Sequence, residues 1–134
     1  MTNIIVVSNS RAEFGPLTSV IAALPEASVL NFVADGPPHI EMANALHWFT
    51  AKLTAVRPRI VVLLGDRYET LAAALAATFL RIPIAHIHGG ETTTGAFDDA
   101  FRHAITLLAE QSGGIHLVAT ERAGKKVAEL TSAG

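Results

Sequence analysis

The chain has 134 residues, half of them hydrophobic, with ten Lys and Arg against twelve Asp and Glu and no cysteine. That length suits one domain burying roughly two thirds of its unfolded surface, and the missing cysteine excludes disulfides, thiolate zinc sites and cysteine nucleophiles. A net charge of -2 with no run of lysine or arginine argues against nucleic acid, and the start lacks both a basic leader and a membrane-length apolar run, so a cytoplasmic protein with no membrane partner is expected.

In chain order, the first apolar run is NIIVVS at 3–8, followed by the polar loop SNSRAEFG at 8–15. This loop lacks the GxGxxG spacing of a dinucleotide fingerprint, and the chain has no GxxxxGK[ST] loop, which disfavours NAD binding and a P-loop ATPase. Leu17, Val20, Ile21 and Leu24 then recur at helical spacing, before a second run, SVLNFVA at 28–34. After Asp35-Gly36-Pro37-Pro38-His39, a stripe of Met42, Leu46, Phe49 and Leu53 predicts a second helix, and RIVVLLG at 59–65 a third strand. Residues Tyr68 to Leu80 are apolar nearly all round, which predicts a helix covered on more than its sheet-facing side. Either alanine there simply favours helix, or the helix forms an interface; a homodimer through Tyr68–Leu80 is expected.

PIAHIHG at 83–89 predicts a fourth strand, Phe101, Ala104, Ile105 and Leu108 a fourth helix, IHLVAT at 115–120 a fifth strand, and Ala123, Val127 and Leu130 a last helix. Because several runs are apolar on both faces, they suit buried parallel strands. Strands alternating with helices then imply an α/β fold with a doubly wound parallel sheet of about five strands. Residues 1–134 form a single domain without internal repeats.

Ligands of an open α/β sheet bind outside the carboxyl ends of the strands, and the unusual polar residues gather there: Arg11 and Glu13, then Gly65-Asp66-Arg67, then His88-Gly89-Gly90-Glu91. Gly65 permits a tight turn, the following helix offers free N–H groups, and Arg67 suits a phosphate. Asp66 also fits an ordinary helix cap. His86 and His88 point to one side of a strand, but HxH supplies too few ligands for zinc, and no metal is expected. Asp98 and Asp99 stand at a helix start, where capping explains at least one of them. Asp98 with Arg102, and Asp99 with His103, share helical faces four residues apart. With Glu91 close in sequence, these carboxylates also suit general acid and base work.

Taken together, SRAEFG, GDRYE, IPIAHIHGGETTTGAFDDAFRHAIT and HLVATERAGKKV, in this order through nearly the whole chain, resemble the N-terminal domain of the hydrolysing UDP-N-acetylglucosamine 2-epimerases. The resemblance implies a Rossmann-like domain forming one half of a GT-B arrangement, with UDP-GlcNAc or a related sugar nucleotide in the cleft. It also implies the family reaction: elimination of UDP across C1 and C2, then hydration to release N-acetylmannosamine, with no cofactor. Carried over by motif, Arg11 and Arg67 are implied as phosphate contacts and Asp66 and Asp98 as catalytic carboxylates, with Arg102 and His103 beside the substrate. Some relatives have glutamate at the third place of HIHGG, where this chain has His88; both His88 and Glu91 stand as candidates for that role.

The chain departs from the family pattern in three places. Asp35–His39 crosses directly where the family has a longer segment, Glu110-Gln111-Ser112-Gly113-Gly114 replaces a lysine- or histidine-bearing helix end, and the sequence stops at ELTSAG, near where a second domain should begin. A second domain, on this chain's parent or on a separate chain, is therefore expected to complete the site. Two other readings stand beside it: a stand-alone sugar-nucleotide-binding module without turnover, and a truncated product whose apolar helix chiefly serves association.

Overall fold

The computed structural model describes residues 3–8, 18–64, 67–87 and 98–132. Five strands, β1 (Ile4–Ser8), β2 (Ser28–Asn31), β3 (Ile60–Leu64), β4 (Ile84–Ile87) and β5 (Ile115–Leu117), form one sheet in the order β2-β1-β3-β4-β5. Every neighbouring pair is parallel, for example Val6 beside Val29 and Val62, and His86 beside His116. The helices are α1 (Pro38–Val56), α2 (Tyr68–Phe79), α3 (Asp98–Gln111) and α4 (Glu121–Thr131), and residues 18–23 are also helical.

Right-handed crossovers explain which helix lies on which face. From β1 the chain moves to one side through residues 18–23, whereas α1, α2 and α3 each step the other way and stack on the opposite face. Two cores follow. Ile5, Val7, Val61, Leu63 and Ile84 pack with Phe49, Leu53, Ile105 and the alanines of α2, while Val6, Val62, Leu64 and Ala85 pack with Val20, Ile21 and Leu24. Trp48 and Phe49 meet edge to face at 5.0 Å, with Phe32 5.6 Å from Trp48. The predicted doubly wound sheet is therefore present, but two strands are shorter than their apolar runs. At the edge, β2 has only β1 to pair with and stops at Asn31, and Phe32 leaves it to join the aromatic cluster.

The apolar character of Tyr68–Leu80 is used inside the chain. Ala72, Ala73, Ala74, Ala76 and Ala77 are fully buried, because α2 lies between α1 and α3 over the sheet. Alanine's small side chain lets helices approach closely, so burial on several sides needs no second copy. Phe79, 70% exposed, is the large apolar side chain that α2 turns to solvent.

Candidate functional site

In a parallel sheet all strand ends of one sense lie on one rim, and here winding reverses between β1 and β3, the point at which open α/β sheets bind ligands outside the strands' carboxyl ends. Ser8 closes β1 with 2% exposure, Leu64 closes β3, and the N-termini of α1, α2 and α3 face the same rim. Those helix ends carry partial positive charge.

Helix α2 begins in an informative way. Its N-cap position is Arg67, extended at φ −79° and ψ 157°, with no side-chain cap bond. The helix thus starts at Tyr68, and Asp66 lies outside the described residues. Arg67 folds over the first turn: its Nε donates to Glu69 Oε2 at 3.0 Å and its Nη2 to Oε1 at 3.0 Å. The Glu69 side chain is 1% exposed and that of Arg67 45%, so one partner is fixed in the core and the other reaches the surface. The guanidinium also lies 6.0 Å from the centroid of the Tyr68 ring. Burial, followed by the Glu69 carboxylate, pushes the Tyr68 phenol above its usual value, keeping it a hydrogen-bond donor at neutral pH. In the first turn of α1, Glu41 accepts from the Asp35 backbone N–H at 3.1 Å and from Asn44 Nδ2 at 2.9 Å, which shapes the short crossing into that helix.

On α3, Arg102 is 7% exposed and its Nη1 donates to Asp99 Oδ1 at 3.2 Å. Spacing had paired Arg102 with Asp98, whose side chain lies outside the described residues, and Asp99 with His103; the described ion pair of Arg102 is with Asp99, three residues away. His103 is half-buried, and its Nδ1 has no hydrogen-bond partner among the described residues. Burial, then the Lys126 cation, lowers its pKa, against an opposing pull from Asp99. Neutral imidazole is thus its resting form.

Below the rim, His86 is fully buried, with Nδ1 3.2 Å from Thr106 Oγ1. Its strand neighbour His116 pairs through Nε2 with Glu110 Oε2 at 2.8 Å. The first histidine of HxH is therefore engaged with helix α3. Among the described residues no group of three or more His, Asp or Glu side chains could hold a metal.

Arg67, Arg102 and His103 thus stand at or just behind the rim. Arg11, Asp66, His88 and Glu91, and the side chain of Asp98, lie outside the described residues. The sequence reading had passed over Glu69 and Thr106. Glu69 stood inside GDRYE, and a lone carboxylate opening an otherwise alanine-rich helix was the available signal; Thr106, in RHAIT, gave none.

The family model for UDP-N-acetylglucosamine 2-epimerase matches residues 11–133. A Legionella pneumophila protein named UDP-N,N'-diacetylbacillosamine 2-epimerase (hydrolyzing) is 43% identical over 96 residues, 69% of this chain and 24% of its own length. Polysialic acid biosynthesis protein P7 of Escherichia coli is 44% identical over 70 residues, 52% of this chain and 17% of its own. Among solved structures, UDP-GlcNAc 2-epimerase from Neisseria meningitidis bound to UDP-GlcNAc superposes with a TM-score of 0.85 at 20% identity, over 96% of this chain and 43% of that one. The Methanocaldococcus jannaschii enzyme in complex with UDP-GlcNAc and UDP gives 0.80 at 19% identity, over 94% and 42%. This chain therefore spans about a quarter of the first curated relative and less than half of these solved chains.

Proposed function

Because the chain belongs to the UDP-N-acetylglucosamine 2-epimerase family, we propose that it carries one half of a hydrolysing 2-epimerase site, completed by a second domain. Its substrate is a UDP-linked 2-acetamido sugar such as UDP-GlcNAc. The fold is the Rossmann-like half of a GT-B arrangement. The observation that supports this reading is that the motif residue Arg67 directly precedes the helix that follows β3, at the reversal of winding, with Arg102 in the helix that follows β4.

The chemistry follows from the groups. A carboxylate takes the C2 proton, the C1–O bond breaks with its electrons leaving on UDP, and a glycal remains. Water then adds, hydroxyl to C1 and proton to C2 on the opposite face, releasing N-acetylmannosamine. In this reading Asp66 and Asp98 are the acid and base candidates, and His88 or Glu91 supplies the third group. Arg11 and Arg67 hold the diphosphate, with Arg102 and His103 beside the sugar. Cations at the diphosphate stabilise the departing charge, and a second domain would exclude water from the other side.

A nucleotide-sugar substrate would fit a cytoplasmic activity, and among the described residues no helix is long and apolar enough to cross a membrane. Association through α2 would centre on Phe79, 70% exposed, with Leu71 and Leu75 half-buried on the same helix. A dimer by light scattering that Phe79→Ser dissociates would support that contact; a monomer at tens of micromolar would remove it.

The test of function is proton NMR of UDP-GlcNAc in deuterated water with the purified chain. Release of UDP and N-acetylmannosamine carrying deuterium at C2 is the outcome for a site that assembles from this chain. Line broadening of the nucleotide without turnover favours the second reading, a binding module or half-site awaiting its second domain. An unchanged spectrum rejects both.

A further inference from the structure

Glu69 is the most buried carboxylate among the described residues, at 0% exposure, and it opens a helix whose other buried positions are alanine and threonine. Taking a carboxylate out of water is costly, and a well-packed apolar residue usually serves stability as well or better. Packing alone does not account for an acid at this position. What Glu69 holds is specific: both oxygens bind the same guanidinium, each at 3.0 Å, through Nε and Nη2. Such a side-on fork fixes the plane of the guanidinium as well as its position, and the adjoining Tyr68 ring, 6.0 Å away, limits sideways swing. The anchor is rigid because its helix is wedged between α1 and α3. The held group is 45% exposed and sits at the N-cap of the helix that follows β3, at the reversal of winding, where an anion is favoured by the helix end.

We propose that Glu69 is a positioning residue: it locks Arg67 in one orientation so that the outer guanidinium edge is preorganised for the diphosphate of a nucleotide. A long arginine side chain otherwise loses rotamer freedom on binding; here that loss is met during folding, by a partner that never touches the ligand. The proposal rests on the reading of the rim as a sugar-nucleotide site.

The experiment measures UDP and uridine binding to the full chain by NMR titration, for wild type, Arg67→Ala, Glu69→Gln and the double variant, with the Arg67 Nε–H signal followed in parallel. Wild type should prefer UDP over uridine by about tenfold or more, a difference lost in Arg67→Ala. Glu69→Gln keeps the shape but lacks the charge, and should weaken UDP about three- to tenfold while leaving uridine unchanged. Its Nε–H signal should lose the dispersion and slow exchange of a locked guanidinium. In the Arg67→Ala background the Gln change should have no further effect on UDP, because Glu69 acts only through Arg67. If Glu69→Gln does not fold, Arg67→Lys, which keeps the charge but cannot make the fork, should reproduce the loss. Unchanged UDP affinity and an unchanged Nε–H signal in Glu69→Gln, with Arg67→Ala still impaired, overturn the positioning role but spare the rim reading. A wild type that does not distinguish UDP from uridine overturns the rim reading and this proposal with it.

Discussion

His103 illustrates how a single side chain ties the rim to the packing behind it. Its imidazole is half-buried between α3 and α4, and burial, reinforced by Lys126, holds its pKa below the usual 6.5. The unfolded chain then binds this proton more tightly than the folded one, so stability increases with pH between the two values. The contribution is complete above about pH 6.5 and is lost as pH falls through the folded value. Replacing His103 by Gln should therefore flatten the fall in Tm between about pH 7.5 and 5.5. Lys126→Met should raise the imidazole pKa toward 6.5, read from the ring proton shifts. A wild-type titration at or above the ordinary histidine value would reject this account. If the imidazole also meets substrate, as its place in the family motif implies, it does so neutral, able to accept as well as donate a hydrogen bond.

Among the elements, the connection from α3 to β5 sets the tightest constraint. Gly113 is left-handed at φ 72°, and the Gly114 N–H returns to the Ala109 carbonyl at 3.0 Å, closing the helix. Directly after it the backbone passes so close to β4 that a Cβ on Gly114 would stand 1.8 Å from the Ile84 carbonyl oxygen. Ser112 Oγ meanwhile accepts from the Ile84 N–H at 3.0 Å, so the turn is laced to the strand. Gly114→Ala should cost about 3 kcal/mol, since backbone must shift to admit the methyl, and lower Tm by about 10 °C in a chain of this size. A loss below about 1 kcal/mol would mean the turn relaxes freely.

The same turn marks the limit of what the chain discloses on its own. The runs of isoleucine and valine gave all five strands and their parallel sense, because a buried strand must be apolar on both sides. Glu110–Gly114 stood out only as a departure from the family pattern, since the need for glycine comes from β4, thirty residues earlier. Likewise, the four-residue spacing that assigned Asp99 to His103 overlooked its ion pair with Arg102, because three and four residues both bring side chains together on a helix. An apolar α2 announced burial but not by what, and the buried Glu69 was hidden because no periodic pattern singles out one acid. Of the candidate site, the motifs named Arg67 and Arg102; their pairing with Glu69 and Asp99 required the fold.

For the whole molecule, the two faces of the sheet are unequal. One carries α1, α2 and α3. On the other, residues 18–23 leave an open apolar groove of about 480 Å³ beside β4 and β5, bordered by Val20, Leu24, Val62, Ile87, Ile115 and Leu117. Ile115 and Leu117 are each 50% exposed on this last strand, while His116 between them turns to Glu110 on α3. Parallel sheets are ordinarily covered on both faces, and an exposed apolar strip promotes association. Ile115 and Leu117 should accordingly contribute little to the stability of this chain by itself and much to its stickiness. Converting both to threonine, which keeps a strand-favouring shape, should lower binding of a hydrophobic dye and reduce concentration-dependent light scattering. The accompanying change in stability should stay within about 1 kcal/mol, a Tm shift of about 3 °C. A much larger drop in Tm would mean that these side chains are covered within the folded chain and that the groove is part of its core.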